Sequence, residues 1–192
     1  MMENEKNINP EHEQIIRMAA EVGANTAMKY IEQNRKKQVK SRQDRRLRNT
    51  KLLLKNYNLL KNHINKSIFS IKQVAKSENA IDVLDTLDDC DSNTYINSIK
   101  RSVARTYIII AHIDEMLELY KYYCLQSGNI EDERRLRILH AYFFYKRKIE
   151  EILEEEKIDE RTFYRDIRKV CSKLSSLIFG IDGLDDVAKN CQ

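Results

Sequence analysis

Glycine and proline are scarce in this chain, with four Gly and one Pro among 192 residues, and tryptophan is absent. Sheet-rich folds need such turn formers at frequent intervals, so the shortage argues against hairpins and points to an all-α protein. No run of about 18 uncharged apolar residues occurs, which argues against a membrane-spanning helix. The polar start MMENEKNINPEHEQ has no apolar stretch of the kind a signal peptide carries. Cys90, Cys124, Cys171 and Cys191 are widely separated, with no pair at zinc-finger or redox-motif spacing. They read as reduced thiols of a cytoplasmic protein.

Metal-ligand and catalytic patterns are missing as well. His12, His63, His112 and His140 are scattered singly. His112 has Asp114 and Glu115 nearby, but neighbours two and three residues on do not share one helical face with it. No glycine-rich phosphate loop and no serine or cysteine elbow occurs, so no metal, cofactor or enzymatic activity is expected.

What the chain does have is uneven charge. The formal net charge of +4 says little about partners, but its distribution says more. Arg35 to Lys55 carries ten bases against one acid, Asp44, and Asp82 to Asp91 carries five aspartates and no base. Near the C-terminus an acidic stretch, Glu150 to Glu160, runs directly into Arg161 to Lys173, with five bases against one acid.

Apolar periodicity supplies the helices. Asn9 as cap, Pro10 and the acids Glu11 and Glu13 mark a helix start, followed by Ile15, Ile16, Ala19, Val22, Ala27 and Ile31 roughly on one face, with Gly23 as a weak point. From Glu32 to Arg46 only Val39 is strongly apolar, so this stretch reads as either a solvated helical connector or a flexible basic arm. Periodicity returns at Leu53, Tyr57, Leu60, Ile64 and Ile68. A stronger stripe runs from Ile96 through Ile99, Val103, Thr106, Ile110, Ile113, Leu117 and Tyr120 to Cys124, with Ser92 as its cap and Gly128 as its stop. Ala80 to Leu87 reads as a short helix between the two. The Leu53 helix can fold back on the Ile96 helix, or two chains can pair. Further apolar residues off the stripe, Ile108, Ile109, Met116, Tyr122 and Tyr123, favour a homodimer.

After Gly128 the helices shorten to about Glu131–Tyr145, Arg147–Glu155 and Glu160–Phe179, the size of a three-helix DNA-binding unit. Residues 1–127 therefore read as a long-helix region for oligomerisation or partner binding, and residues 128–192 as a helix-turn-helix domain. Ile149, Ile152 and Leu153 give the first helix an inner face, Ile158 plugs the turn and Asp159 caps the second helix. Phe163, Ile167, Val170 and Leu174 line that helix on the inside. The residues left outside suit double-stranded DNA, because Arg forks onto guanine edges while Lys and Tyr reach phosphates. Arg161, Thr162 and Arg165, in the first turns, are candidates for base contacts, and Tyr164, Arg168, Lys169 and Lys173 for phosphates. For Arg42, Arg45, Arg46, Arg48 and Lys51 two readings stay open, a further nucleic-acid contact and a plain solvated helix.

The stretch IEEILEEEKIDERTFYRDI resembles the region 4 helix-turn-helix of bacterial sigma factors. DRRLRNTKLLLKNYNLLKNHI is similar to the N-terminal part of ArpU-type and RinA-type phage late-gene regulators. Two positions depart from the pattern: Lys157 stands where such motifs have a turn glycine, and Leu153 where the first helix has a small residue. The resemblance implies a phage or prophage activator of late genes that assists host RNA polymerase at the nucleoid. It leaves as alternatives a sigma-like factor reading a −35-like element and a helical scaffold or DNA-packaging adaptor.

Overall fold

The computed structural model describes residues 10–65, 79–87 and 90–180, and every regular element among them is helical. In chain order these are α1 (Pro10–Asn65), α2 (Ala80–Thr86), α3 (Ser92–Lys100), α4 (Val103–Gln126), α5 (Ile130–Leu139), which continues into a π-helical turn (His140–Phe144), α6 (Ile149–Glu156) and α7 (Glu160–Phe179). No helix among the described residues is long and apolar enough to cross a membrane. Asn9, Ile68 and Cys191 lie outside the described residues.

The chain divides into two units, Met1–Arg42 and Gln43–Gln192. In the first, residues 11–42 are helical and solvated, including the apolar Ile15, Ile16, Val22, Tyr30 and Ile31. The stretch from Glu32 is thus a solvated helix and not a loose arm. Long unbranched side chains, four alanines and the absence of any interior proline allow a helix here without a buried face.

The second unit is built around one hydrophobic core. Leu53, Leu54, Tyr57 and Leu60 of α1 share it with Leu84 of α2, Tyr95 and Ile99 of α3, Ile109, Ile113 and Tyr120 of α4, and Ile138, Phe143, Ile152, Phe163, Val170 and Leu174 further on. The turn at Gly128 lies within this unit. The Tyr57 hydroxyl and the Lys61 ammonium both reach the Asp114 carboxylate of α4, so the Leu53 face is covered by the chain's own helices.

The long stripe from Ile96 to Cys124 does not lie on one helix. Ser102 adopts extended backbone (φ −131°, ψ 123°), ends the α3 segment and caps α4 by accepting from the Arg105 N–H at 3.4 Å. Thr106 then ties the two helices together, its hydroxyl within 3.0 Å of the Ile99 carbonyl and 2.9 Å of the Ser102 carbonyl. The cap of α3 is Asp91, one residue before the expected Ser92, because its carboxylate receives the Asn93 and Thr94 N–H groups. A break at Ser102 lets the two halves of the stripe meet different neighbours. Ile96, Ile99, Ile110, Ile113, Tyr120 and Cys124 are all buried within the chain, as is Ile109. Gly128 does end α4 as expected, in left-handed conformation at φ 58°.

Candidate nucleic-acid interface

The expected two-helix motif is present as α6 and α7, and the turn between them is a Schellman arrangement. The Lys157 N–H bonds to the Glu154 carbonyl at 3.4 Å and the Ile158 N–H to the Leu153 carbonyl at 3.1 Å, with Lys157 left-handed at φ 52°. Glycine is the usual occupant because it adopts this conformation without a Cβ clash. Lysine does so here at a cost, while half-buried Ile158 and Leu153 pack against the core and hold the turn. Asp159 then caps α7, receiving the Thr162 N–H at 2.7 Å. That backbone hydrogen bond, ahead of the Thr162 hydroxyl, holds the Asp159 carboxyl below its ordinary range.

The inner face of α7 carries the apolar residues expected of it, with Phe163, Val170 and Leu174 fully buried and Ile167 nearly so. Tyr142 meets the Phe163 ring edge-on at 5.4 Å. Cys171 belongs to this face too, and burial pushes its thiol up to about 11, against the smaller opposing pull of Lys51 and Lys55. It is held as an inert thiol.

One further inner residue was missed from sequence. Asp166, three residues after Phe163 and four before Val170, is completely buried and receives hydrogen bonds from Arg134 Nε at 2.9 Å and Arg135 Nε at 3.3 Å. Arg135 also pairs with Asp132 at 2.6 Å and with Glu131. Burial would raise the Asp132 carboxyl, but the Arg135 hydrogen bond and the Lys173 and Arg135 charges outweigh it and hold the group low. The only trace of Asp166 in the sequence is its place between Phe163 and Val170, which takes its meaning from the two consecutive arginines of α5 that lie against it. This network fixes the roll of α7 against α5, since a rotation would strand a carboxylate without its cations.

With the inner face so fixed, Arg161, Tyr164, Arg165, Arg168 and Lys169 are exposed side by side on the outer face. Thr162 is half-buried, its hydroxyl 3.3 Å from the Asp159 carboxylate, so it serves the cap. Lys173 is exposed but sits 3.7 Å from Asp132. On α6, Glu150, Glu151, Glu154 and Glu155 are exposed. Arg147 pairs with Glu151 and Glu155, and Arg137 grips Glu156 with two bonds of 2.8 Å.

The second candidate group does not form one surface. Arg46 is only 7% exposed, ion-paired with Asp85 at 3.1 Å and stacked 5.4 Å from the Phe179 ring centroid, so it is a packing residue and not a nucleic-acid contact. The reason is its position beside Asn49 and Thr50, both fully buried, where α1 enters the core. Arg45 and Lys51 are half-buried, and exposed Arg48 bonds to the Cys90 carbonyl at 3.2 Å. Arg42 is exposed but belongs to the first unit.

Among the described residues no group of three or more His, Cys, Asp and Glu side chains is arranged to hold a metal. His112 donates through Nε2 to the Ile178 carbonyl at 2.9 Å, which ties α4 to the end of α7. No known protein family, curated protein or solved structure matches this chain.

Proposed function

We propose that this chain is a sequence-specific regulator of transcription that binds double-stranded DNA through α7 and acts without catalysis. The observation that carries the reading is the outer face of α7: five exposed polar or basic side chains on a capped helix whose inner face is locked by burial and by Asp166. Arg161, Arg165 and Arg168 are spaced four and three apart, a row of about 10 Å along the axis, which spans about three base pairs. A helix of this diameter fits the major groove, and arginine in such a row reads guanine edges. Arg161 and Arg165 are assigned to bases, and Tyr164, Arg168 and Lys169 to phosphates, with Lys173 at the margin. The exposed glutamates of α6 repel phosphates, so the duplex approaches from the basic side of α7.

Late-gene activation beside bacterial RNA polymerase is proposed on the sequence resemblance alone, and so is the sigma-like alternative. Run-off transcription with core polymerase and no other sigma factor separates those two.

The direct test is DNA binding to the chain's own upstream region. Arg165→Ala is expected to weaken the specific site by about 1–3 kcal/mol and relax its specificity, whereas Lys169→Ala weakens all sequences alike and lowers the salt slope by about one. Specific binding untouched by Arg165→Ala would count against α7 as the reading helix. Weak binding that ignores sequence and disappears at modest salt would favour the scaffold or packaging role.

A further inference from the structure

The first unit holds a feature that the DNA-binding reading does not use. Along α1 the residues Ile15, Ile16, Arg17, Met18, Ala19, Ala20 before Gly23 are mirrored after it by Thr26, Ala27, Met28, Lys29, Tyr30 and Ile31. Read outward from Gly23 in both directions, alanine matches threonine or alanine, methionine matches methionine, base matches base, and the large apolar residues close both ends. Of the eight pairs about Gly23 six match in this palindromic way, Val22 and Ala24 are both apolar but unequal in size, and Glu21 has no match in Asn25.

A helix places these residues unevenly around its axis. At 100° per residue, Ile16, Ala19, Ala20, Gly23, Thr26, Ala27 and Tyr30 fall within about 60° of the Gly23 direction, and Ile15 and Ile31 flank them. Arg17, Met18, Met28 and Lys29 fall outside that face. Thr26 turns its hydroxyl onto the Val22 carbonyl at 2.7 Å, so its methyl remains for contact. The face is solvent-exposed, with Ile15, Ile16, Tyr30 and Ile31 each 61–66% exposed. A Cβ on Gly23 would meet nothing within 4 Å among the described residues, so none of them explains a residue that weakens the helix relative to alanine.

We infer that this face pairs with the same face of a second copy of the chain, antiparallel, with the two-fold axis at Gly23. Only the antiparallel arrangement satisfies the palindrome: Ile15 then lies opposite Ile31, Ile16 opposite Tyr30, Ala19 opposite Ala27, and Gly23 opposite itself. An isologous two-fold contact requires such self-complementarity. The small centre allows close approach of the helix axes, and the large ends clasp the partner. Charge selects the same direction. With the axis at Gly23, Glu11 of each helix lies opposite Arg35 of the other and Glu13 lies about one turn from Lys37, whereas a parallel pair sets every charge against its own copy. The stripe of α3 and α4 is largely taken up by the chain's own core, while Tyr122, Tyr123 and Leu125 of α4 remain exposed.

Sedimentation equilibrium of the full chain gives the test. The wild-type chain is expected to be a dimer. Gly23→Leu, which strengthens an isolated helix, is expected to raise the dimer dissociation constant about 100-fold by wedging the two-fold axis, with helix content by circular dichroism unchanged or higher. A wild-type monomer, or a Gly23→Leu chain that dimerises as well as wild type, overturns the proposal. Orientation is tested by oxidative cross-linking against a wild-type control. Ile16→Cys combined with Tyr30→Cys is expected to cross-link between chains, and Ile16→Cys alone is not, because its two copies are about 21 Å apart along the axis. Efficient cross-linking of Ile16→Cys alone would show a parallel pair and overturn it.

Discussion

The N-terminal stretch of α1 and the whole of α7 are both uninterrupted helices, yet they owe that shape to different forces. Among the described residues none of 11–42 is buried, and their helix rests on long unbranched side chains, a few alanines and local pairs such as Lys36 with Glu32 at 2.7 Å. Helix α7 buries Phe163, Asp166, Val170, Cys171, Leu174 and Ile178 completely, and packing decides even its roll. A helix held by propensity stays free to meet a partner. One held by packing can aim its outer residues, as reading a DNA groove demands.

The contrast can be broken most sharply at Asp166. Asp166→Ala leaves the guanidinium groups of Arg134 and Arg135 without their shared buried carboxylate and is expected to cost about 3–5 kcal/mol in urea denaturation. Ile15→Ala on the first unit, measured at concentrations where the chain is monomeric, is expected to change stability by under about 0.5 kcal/mol. Equal losses at the two sites would mean that residues 11–42 are packed after all.

A smaller effect of opposite sign is expected at the α6–α7 turn. Lys157→Gly relieves a left-handed lysine and should stabilise the second unit by about 1 kcal/mol in thermal unfolding, since its N–H bonds are retained. Loss of stability there would show that the Lys157 side chain contributes contacts which outweigh the strain.

The smallest expected effect is on pH dependence. Burial, with Lys121 adding to it, depresses the His140 imidazole below its ordinary value, so the folded state favours the neutral ring. Its contribution is present above the unfolded-state value near about 6.5 and is lost as pH falls toward the folded one. Acidification from pH 7 to 5 should therefore destabilise the wild-type chain more than His140→Gln. Identical pH profiles would remove His140 from that role.

Much of this was legible in the sequence, and the particular residues show why. The three C-terminal helices, the cap at Asp159 and the inner set Phe163, Ile167, Val170 and Leu174 follow from spacing alone, because a lone helix with one apolar stripe has one way to face a core. Asp166 escaped notice because a carboxylate on an apolar face makes sense only once Arg134 and Arg135 are known to lie against it. Arg46 failed in the other direction. As a letter it belongs to a basic run, and only the packing of Asn49, Thr50 and Phe179 shows that its guanidinium is enclosed. The break at Ser102 was hidden because a stripe stepping by threes and fours looks the same whether one helix or two carry it.

The sequence by itself determined the all-helical class, the basic outer row of α7 and the palindrome about Gly23, since each depends on local propensity and on which residues share a helical face. Tertiary structure alone decided which cations remain available and which carboxylates are neutralised. A charge is worth little in water and a great deal when enclosed, and enclosure depends on neighbours that arrive from distant parts of the chain.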